Sequence, residues 1–446
     1  MYVFSESALN NPKSSPELLA PAGTMKSMQY AFAYGADAVY AGHPRYSLRA
    51  RNNDFSMENL EKGISYAHEI DKKVYITSNI FPHNNKVKTY LEHMGQVAQM
   101  KPDAFIMADP GLIMLAREAW PEIPVHLSVQ ANTINYASVN FWKSVGVSRV
   151  ILSRELTLRE IEEIRQLCPD MELEVFIHGA LCISYSGRCL LSGYFNKRDA
   201  NQGTCANSCR WKYKLYEEPT DYDGLPLESD QGEQRELIEK EYFIEEQERQ
   251  GQFMPITEDE HGTYIMNSKD LRAIEYVEDL TRIGVDSIKI EGRTKSHYYV
   301  SRAVAAYRKA LDDAAAGKPF DKDLLRSLDG LSNREYTPGF FGGYMPTEMQ
   351  NYETGNSKSK YQKFVGEVIS DSIVDGYITI EVKNRLKLGE SVELLTSAGN
   401  YRFTVDEIIL DKNGEKLDVA PGSGYVVRIP VNTDLPVKFG LLVVDL

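Results

Sequence analysis

The chain predicts an α/β fold: a closed (β/α)8 TIM-type barrel that carries an inserted cysteine loop and an acidic excursion, followed by a small all-β barrel domain. Three observations carry this. Short, near-continuous apolar runs alternate with helix-period segments through the first two-thirds of the chain, the pattern of a parallel sheet covered on both faces. There are eight such runs, the number that closes a barrel. After residue 361 the apolar period drops to two, in short strands separated by turn residues.

The elements follow in order. Residues 1–15 are a polar leader with neither the basic head nor the apolar core of a signal peptide. No apolar run approaches the roughly 18 residues of a membrane helix. A cytoplasmic protein without membrane contact is expected. Strands are predicted at 18–22 (LLAPA), 36–42, 74–80, 104–108, 125–129, 149–153, 173–177 and 287–290. Helices are predicted at 25–34, 57–70, 86–100, 111–119, 132–145, 157–167 and 296–315. Gly35 stops the first helix, and Thr157 and Glu160 have capping-box spacing. No glycine-rich dinucleotide fingerprint follows the first strand, which disfavours an open doubly wound sheet. The run 263–267 (TYIMN) also reads as strand, either a hairpin return or a replacement for one of the eight. The barrel thus spans 16–330 with an insertion at about 180–262. A linker at 331–361 and a β-barrel at 362–446 follow, the latter with turns at 411–414 (DKNG) and 421–424 (PGSG).

A chain of 446 residues with 42% hydrophobic content has ordinary globular composition and room for more than one core. Its net charge of −14 is unevenly spread. Residues 216–260 hold 16 acidic and three basic side chains, the composition of a solvated excursion and a candidate contact for a protein partner. Residues 182–214 hold six basic side chains and one acidic, which leaves an anionic partner open.

Cys182, Cys189, Cys205 and Cys209 are four of the five cysteines and fall within 28 positions. In a reducing compartment such a cluster reads as metal ligands or catalytic thiols rather than disulfides. Only Cys205 and Cys209 have zinc-ribbon spacing. Four thiolates from one loop suit an iron–sulfur cluster whose charge the neighbouring basic residues offset; zinc and a redox-active or catalytic thiol also fit. Cys168, at a helix end, reads as a buried apolar residue.

Barrel enzymes keep their chemistry at the C-terminal strand ends. Those ends carry His43 and Arg45, Asn79, Asp109, Gln130, Arg154 and Glu155, His178, then Glu291 and Arg293, with Lys289 just inside. Strand starts read as much less decorated. Arg154, Glu155, His178, Lys289 and Glu291 are the candidates for catalysis. Arg45, Asn79, Gln130 and Arg293 are candidates for substrate binding. The cations, with Arg49 and Arg51, suit a carboxylate- or phosphate-bearing ligand. Arg210, Trp211 and Lys212 alternate charge and ring, as nucleic-acid stacking surfaces do, although aromatics in a core with cations in water give the same pattern. His178 and Cys182 could form a thiol–imidazole pair. No HExxH or GxSxG motif is present.

The run EVFIHGALCISYSGRCLLSG at 174–193, with Glu174, Phe176, Gly179, Cys182, Gly187, Cys189 and Ser192, resembles the pattern of the collagenase-like peptidase family, number thirty-two among those of unknown catalytic type. Supporting blocks are PELLAPAG (16–23), DAVYAG (37–42), LSREL (152–156), MNSKDL (266–271) and KIEGR (289–293). The C-terminal domain resembles the β-barrels of translation factors. Within the family the likeness leans to the branch that makes 5-hydroxyuridine at the wobble position of tRNA using prephenate. Sister branches hydroxylate ribosomal RNA or ubiquinone precursors. The resemblance implies a four-iron four-sulfur cluster on Cys182, Cys189, Cys205 and Cys209, with zinc as the alternative. It also implies prephenate, a small dicarboxylate, as co-substrate for the arginine-rich mouth, and tRNA as partner. The family name implies a peptidase instead.

Overall fold

The computed structural model describes residues 15–48, 55–181, 268–343 and 361–446, and the backbone of strand segments 242–245, 253–259 and 262–264. Strands β1 to β7 are Glu17–Pro21, Ala38–Gly42, Lys73–Ser78, Ala104–Met107, Val125–Leu127, Arg149–Ile151 and Glu172–Ala180. Then come β8 (Tyr242–Glu245), β9 (Phe253–Asp259), β10 (Gly262–Tyr264), β11 (Asp270–Arg272), β12 (Ser287–Ile290) and β13 (Tyr336–Thr337). Strands β1 to β7 pair in parallel in sequence order, and β12 pairs in parallel with both β7 and β1. The eight expected strands therefore close into one barrel. The ambiguous TYIMN run replaces none of them: β10 returns antiparallel on β9.

Helices cover the barrel, and their starts follow local chemistry. Side chains of Thr24, Ser56, Asp109, Asn135, Thr157 and Ser296 each accept a backbone N–H at a helix start. Both hydrogen bonds of the Thr157–Glu160 capping box are present. The helix expected at 86–100 is broken into Asn84–Val87 and Tyr90–Gln99. Tyr46 pins the break, its hydroxyl lying 3.3 Å from the Lys86 carbonyl and 3.0 Å from Thr89 Oγ1. The helix expected from 132 starts at Tyr136, because Asn132 is left-handed (φ 52°) and Asn135 caps instead.

Strand β7 outruns the barrel. Its end pairs antiparallel with β11, Ala180 opposite Asp270, and β11 pairs in parallel with β13. The excursion between them thus leaves and re-enters the fold at one point. A buried Arg334–Asp270 ion pair ties that point to the segment before β13. The expected linker therefore contributes a short strand.

The C-terminal residues form β14 (Gln362–Val368), β15 (Tyr377–Lys387), β16 (Ser391–Thr396), β17 (Gly399–Thr404), β18 (Ile409–Leu410), β19 (Val419–Pro430) and β20 (Leu441–Asp445). They make one antiparallel sheet over a core that includes Val365, Ile380, Leu394 and Val427. Leu395, Leu441 and Val443 join the barrel's own core cluster. The Tyr34 hydroxyl sits 3.0 Å from the carbonyls of Leu395 and Phe439, and Lys26 pairs with Glu367 at 2.5 Å. Among the described residues, no helix is long and apolar enough to cross a membrane.

Candidate active site

The barrel interior is charged low down, contrary to the expectation of sparsely decorated strand starts. Register places Glu17, Ser287 and Glu174 side by side on β1, β12 and β7. Arg149 bridges Glu17 at 2.6 Å and Glu174 at 3.2 Å, and reaches Glu172 at 2.8 Å. Tyr75 donates to Glu17 at 2.7 Å. Glu174 also accepts from Lys289 Nζ at 2.8 Å, both side chains being buried. Burial alone would raise the Glu17 carboxyl, but Arg149 and Tyr75 hold it below its ordinary range. Burial pushes the Lys289 ammonium down, with Glu174 pulling the other way. Sequence reasoning missed Glu174 as a structural partner; a carboxylate inside an apolar parallel strand was the available signal.

Above this layer lies a cavity of about 130 Å³. Lys289 is its floor, with Nζ 4.4 Å from the Tyr40 ring centre and 5.3 Å from that of Phe176. The Arg154 guanidinium also covers Phe176, at 4.0 Å, and donates to the Ala180 carbonyl at 2.9 Å. Arg293 donates to Thr77 Oγ1 at 2.6 Å. Asn79 accepts from the Leu48 amide at 3.2 Å and donates to Ser128 at 3.3 Å. The Tyr40 hydroxyl lies 3.2 Å from the Glu291 carboxylate. Ile106 and Ile151 supply apolar wall. Two buried atoms of the cavity lining, Arg154 Nε and Gln130 Oε1, have no hydrogen-bond partner among the described residues. One is a donor and one an acceptor, and leaving either unmet is costly, so the cavity is built for a small polar anion with an apolar body.

A bulge decides what faces this cavity. The β7–β12 register pairs Lys289 with Phe176 but Ile290 with His178, so one extra residue enters β7. Gly179 permits it, with φ +104°; a Cβ there would sit 2.5 Å from the Glu291 carbonyl oxygen. Period-two alternation from Glu174 and Phe176 would place His178 inside. The bulge turns it outward, among the rings of Tyr299, Tyr307 and Tyr336, while Ala180 lines the cavity. Burial pushes the His178 imidazole down to about 3. His178, a sequence candidate for catalysis, does not line the cavity.

Residues 23–351 match peptidase family U32, and residues 360–443 match the peptidase family U32 C-terminal domain. The chain belongs to peptidase family U32. It is 56% identical over 440 residues to the tRNA hydroxylation protein P of Escherichia coli (strain K12), covering 96% of each chain. To the protein of the same name from Haemophilus influenzae it is 53% identical over 444 residues, covering 97% of this chain and 96% of the other. It is also 27% identical over 405 residues to the Escherichia coli 23S rRNA 5-hydroxycytidine C2501 synthase, covering 90% of this chain and 55% of that one.

In this U32 chain, the sequence candidates Arg154, Lys289, Glu291, Asn79, Gln130 and Arg293 converge on the cavity. Tyr40, Thr77 and Ser128, which sequence reasoning passed over, join them. Glu155 does not line it; Ser153 donates to its carboxylate at 2.5 Å. Asp109 does not either, its carboxylate being used to cap the helix Pro110–Ala119. Arg45 lies outside, exposed, 2.7 Å from His93 Nε2. Cys168 is buried, as expected. Cys182, Cys189, Cys205 and Cys209 lie outside the described residues, as do Arg49, Arg51, Arg210, Trp211 and Lys212. Cys182 follows the cavity-lining Ala180 by two positions in the chain. Among the described residues, no group of three or more His, Cys, Asp or Glu could hold a metal ion.

Proposed function

We propose that this chain is an RNA-modifying enzyme of the hydroxylating type, acting in the cytoplasm on tRNA and contributing to 5-hydroxyuridine at the wobble position. The observation that carries the reading is its near-full-length identity of 53–56% to relatives named for tRNA hydroxylation. The cavity supports a division of labour. At about 130 Å³ it falls short of the roughly 300 Å³ where typical ligand pockets begin, so it serves a small co-substrate and leaves the RNA at the mouth. Prephenate is the proposed co-substrate. Its carboxylates are met by Arg154, Arg293 and Lys289, its polar groups by Gln130 and Asn79, and its ring by Phe176. Glu291 is the carboxylate placed to exchange a proton there.

The donor set of Cys182, Cys189, Cys205 and Cys209, four thiolates on one basic loop, fits a four-iron four-sulfur cluster better than zinc. When bound, the cluster would supply electron transfer. The acidic stretch 216–260 is proposed as a contact for a protein partner. The peptidase alternative gains nothing from the geometry, since His178, its imidazole, faces away from the cavity.

The test is nucleoside mass spectrometry of tRNA from cells lacking the gene, complemented with the natural chain or with Arg154→Met. Wobble hydroxylation restored by the first and not by the second is expected. Hydroxylation unchanged by the deletion would sink the reading. Iron, sulfide and zinc counted in protein purified without oxygen decide between cluster and zinc.

A further inference from the structure

The chain has more acidic than basic residues, 64 against 50, and its described lysines mostly pair with carboxylates, as Lys62 does with Glu58 and Lys143 with Asp170. Three neighbouring cations depart from this. Arg45, in the loop after β2, and Lys86 and Lys88, after β3, make no ion pair with a carboxylate among the described residues. They are held together nonetheless. Arg45 reaches His93, while the adjacent Tyr46 fixes the backbone of Lys86 and the side chain of Thr89. Burial and then the charge of Arg45 push the Lys86 ammonium down, so the two cations lie close enough to repel. His83 adds a second imidazole, this one exposed, and Glu92 is the one acid in residues 83–93. Like charges pinned together without a counter-ion are an arrangement that an incoming anion relieves.

The position matters as much as the charge. The loop carrying Arg45 continues into Leu48, which lines the cavity and donates its amide to Asn79 of the same cavity. The cation group therefore flanks the mouth. We infer that Arg45, Lys86 and Lys88 form a phosphate-binding ledge for the RNA backbone, which sets one nucleotide over the cavity. This rests on the RNA reading above and adds the docking surface to it. The contacts are to phosphates and so position the strand without reading its sequence.

The experiment is fluorescence anisotropy of the full chain with an unmodified tRNA transcript over a range of salt. The pair Lys86→Glu and Lys88→Glu should weaken binding at about 0.15 M salt by tenfold or more. It should also make the log–log salt dependence shallower by about 1.5, since each lost phosphate contact removes roughly 0.7–0.9. Lys86→Arg with Lys88→Arg should keep both, and Lys412→Glu, on the C-terminal domain, should change neither. Unchanged thermal unfolding of all three variants shows that the fold is kept. Natural protein that binds tRNA, with the double reversal binding as tightly and with the same salt slope, overturns the ledge alone. Natural protein that does not bind tRNA overturns the RNA reading together with it.

Discussion

The two ends of the barrel hold similar charges and treat them differently. At the N-terminal end, Glu17, Glu174 and Arg149 are knit into one network in which each charge has a partner, and Lys289, the cavity floor, joins it through Glu174. At the C-terminal end, Arg154 and Gln130 each keep a buried polar atom unmet. His43 Nε2 and His178 Nε2 are also buried without a partner among the described residues, but neither side chain lines the cavity. Buried charge that is fully paired contributes structure; an unpaired buried polar group marks a candidate ligand contact where it also lines a cavity, which His126 Nδ1 at the N-terminal end does not. The contrast teaches that charge content alone does not distinguish scaffold from site; satisfaction at the cavity wall does.

The largest effect that should expose this contrast is acid. His43 is pushed down to about 4 and His178 to about 3, in both cases chiefly by burial. Their folded values lie below the unfolded value of about 6.5, so the unfolded chain binds more protons as pH falls. Stability is therefore intact above pH 6.5 and lost on acidification. The loss is on the order of 1 kcal/mol per histidine per pH unit, flattening below the folded values. Urea unfolding at pH 7, 6, 5 and 4 checks it; a midpoint independent of pH over that range contradicts the burial of these rings.

Next in size is Glu174→Ala, which leaves Arg149 and Lys289 without their shared carboxylate. Breaking a buried pair from one side costs about 3–5 kcal/mol, read from the urea midpoint. Gly179→Ala should cost about 1–3 kcal/mol, because φ +104° and the close Glu291 carbonyl both oppose a Cβ. A crystal structure of that variant should show the bulge shifted. Smallest in stability is Arg154→Met, expected to cost about 1 kcal/mol, the worth of its one hydrogen bond to the Ala180 carbonyl, with Met keeping apolar contact on Phe176. Binding of the proposed co-substrate prephenate, measured calorimetrically, should nevertheless weaken about 10–100-fold, the worth of one or so charged hydrogen bonds. If Arg154→Met unfolds the chain while Glu174→Ala does not, the assignment of the two ends is reversed.

Much of this was legible in the residues alone. Eight apolar runs, the change of period after residue 361 and the Thr157–Glu160 cap are local patterns, and each is present in the structure. Arg154, Gln130, Lys289, Glu291, Asn79 and Arg293 could be nominated because a parallel barrel puts its strand ends on one face. Other features had no local trace. Arg149 and Glu17 meet across 132 positions, a pairing that no spacing rule reveals. Asp109 looked like a site residue until the helix beginning at Pro110 took its carboxylate. His178 obeyed the period-two pattern of its strand, and one extra residue in β7 moved it to the other face. Sequence determined the barrel and its set of candidate side chains, because period and strand order are carried along the chain. Tertiary structure decided which of them face the cavity and which are already paired, because register and partnership are set by strands distant in sequence.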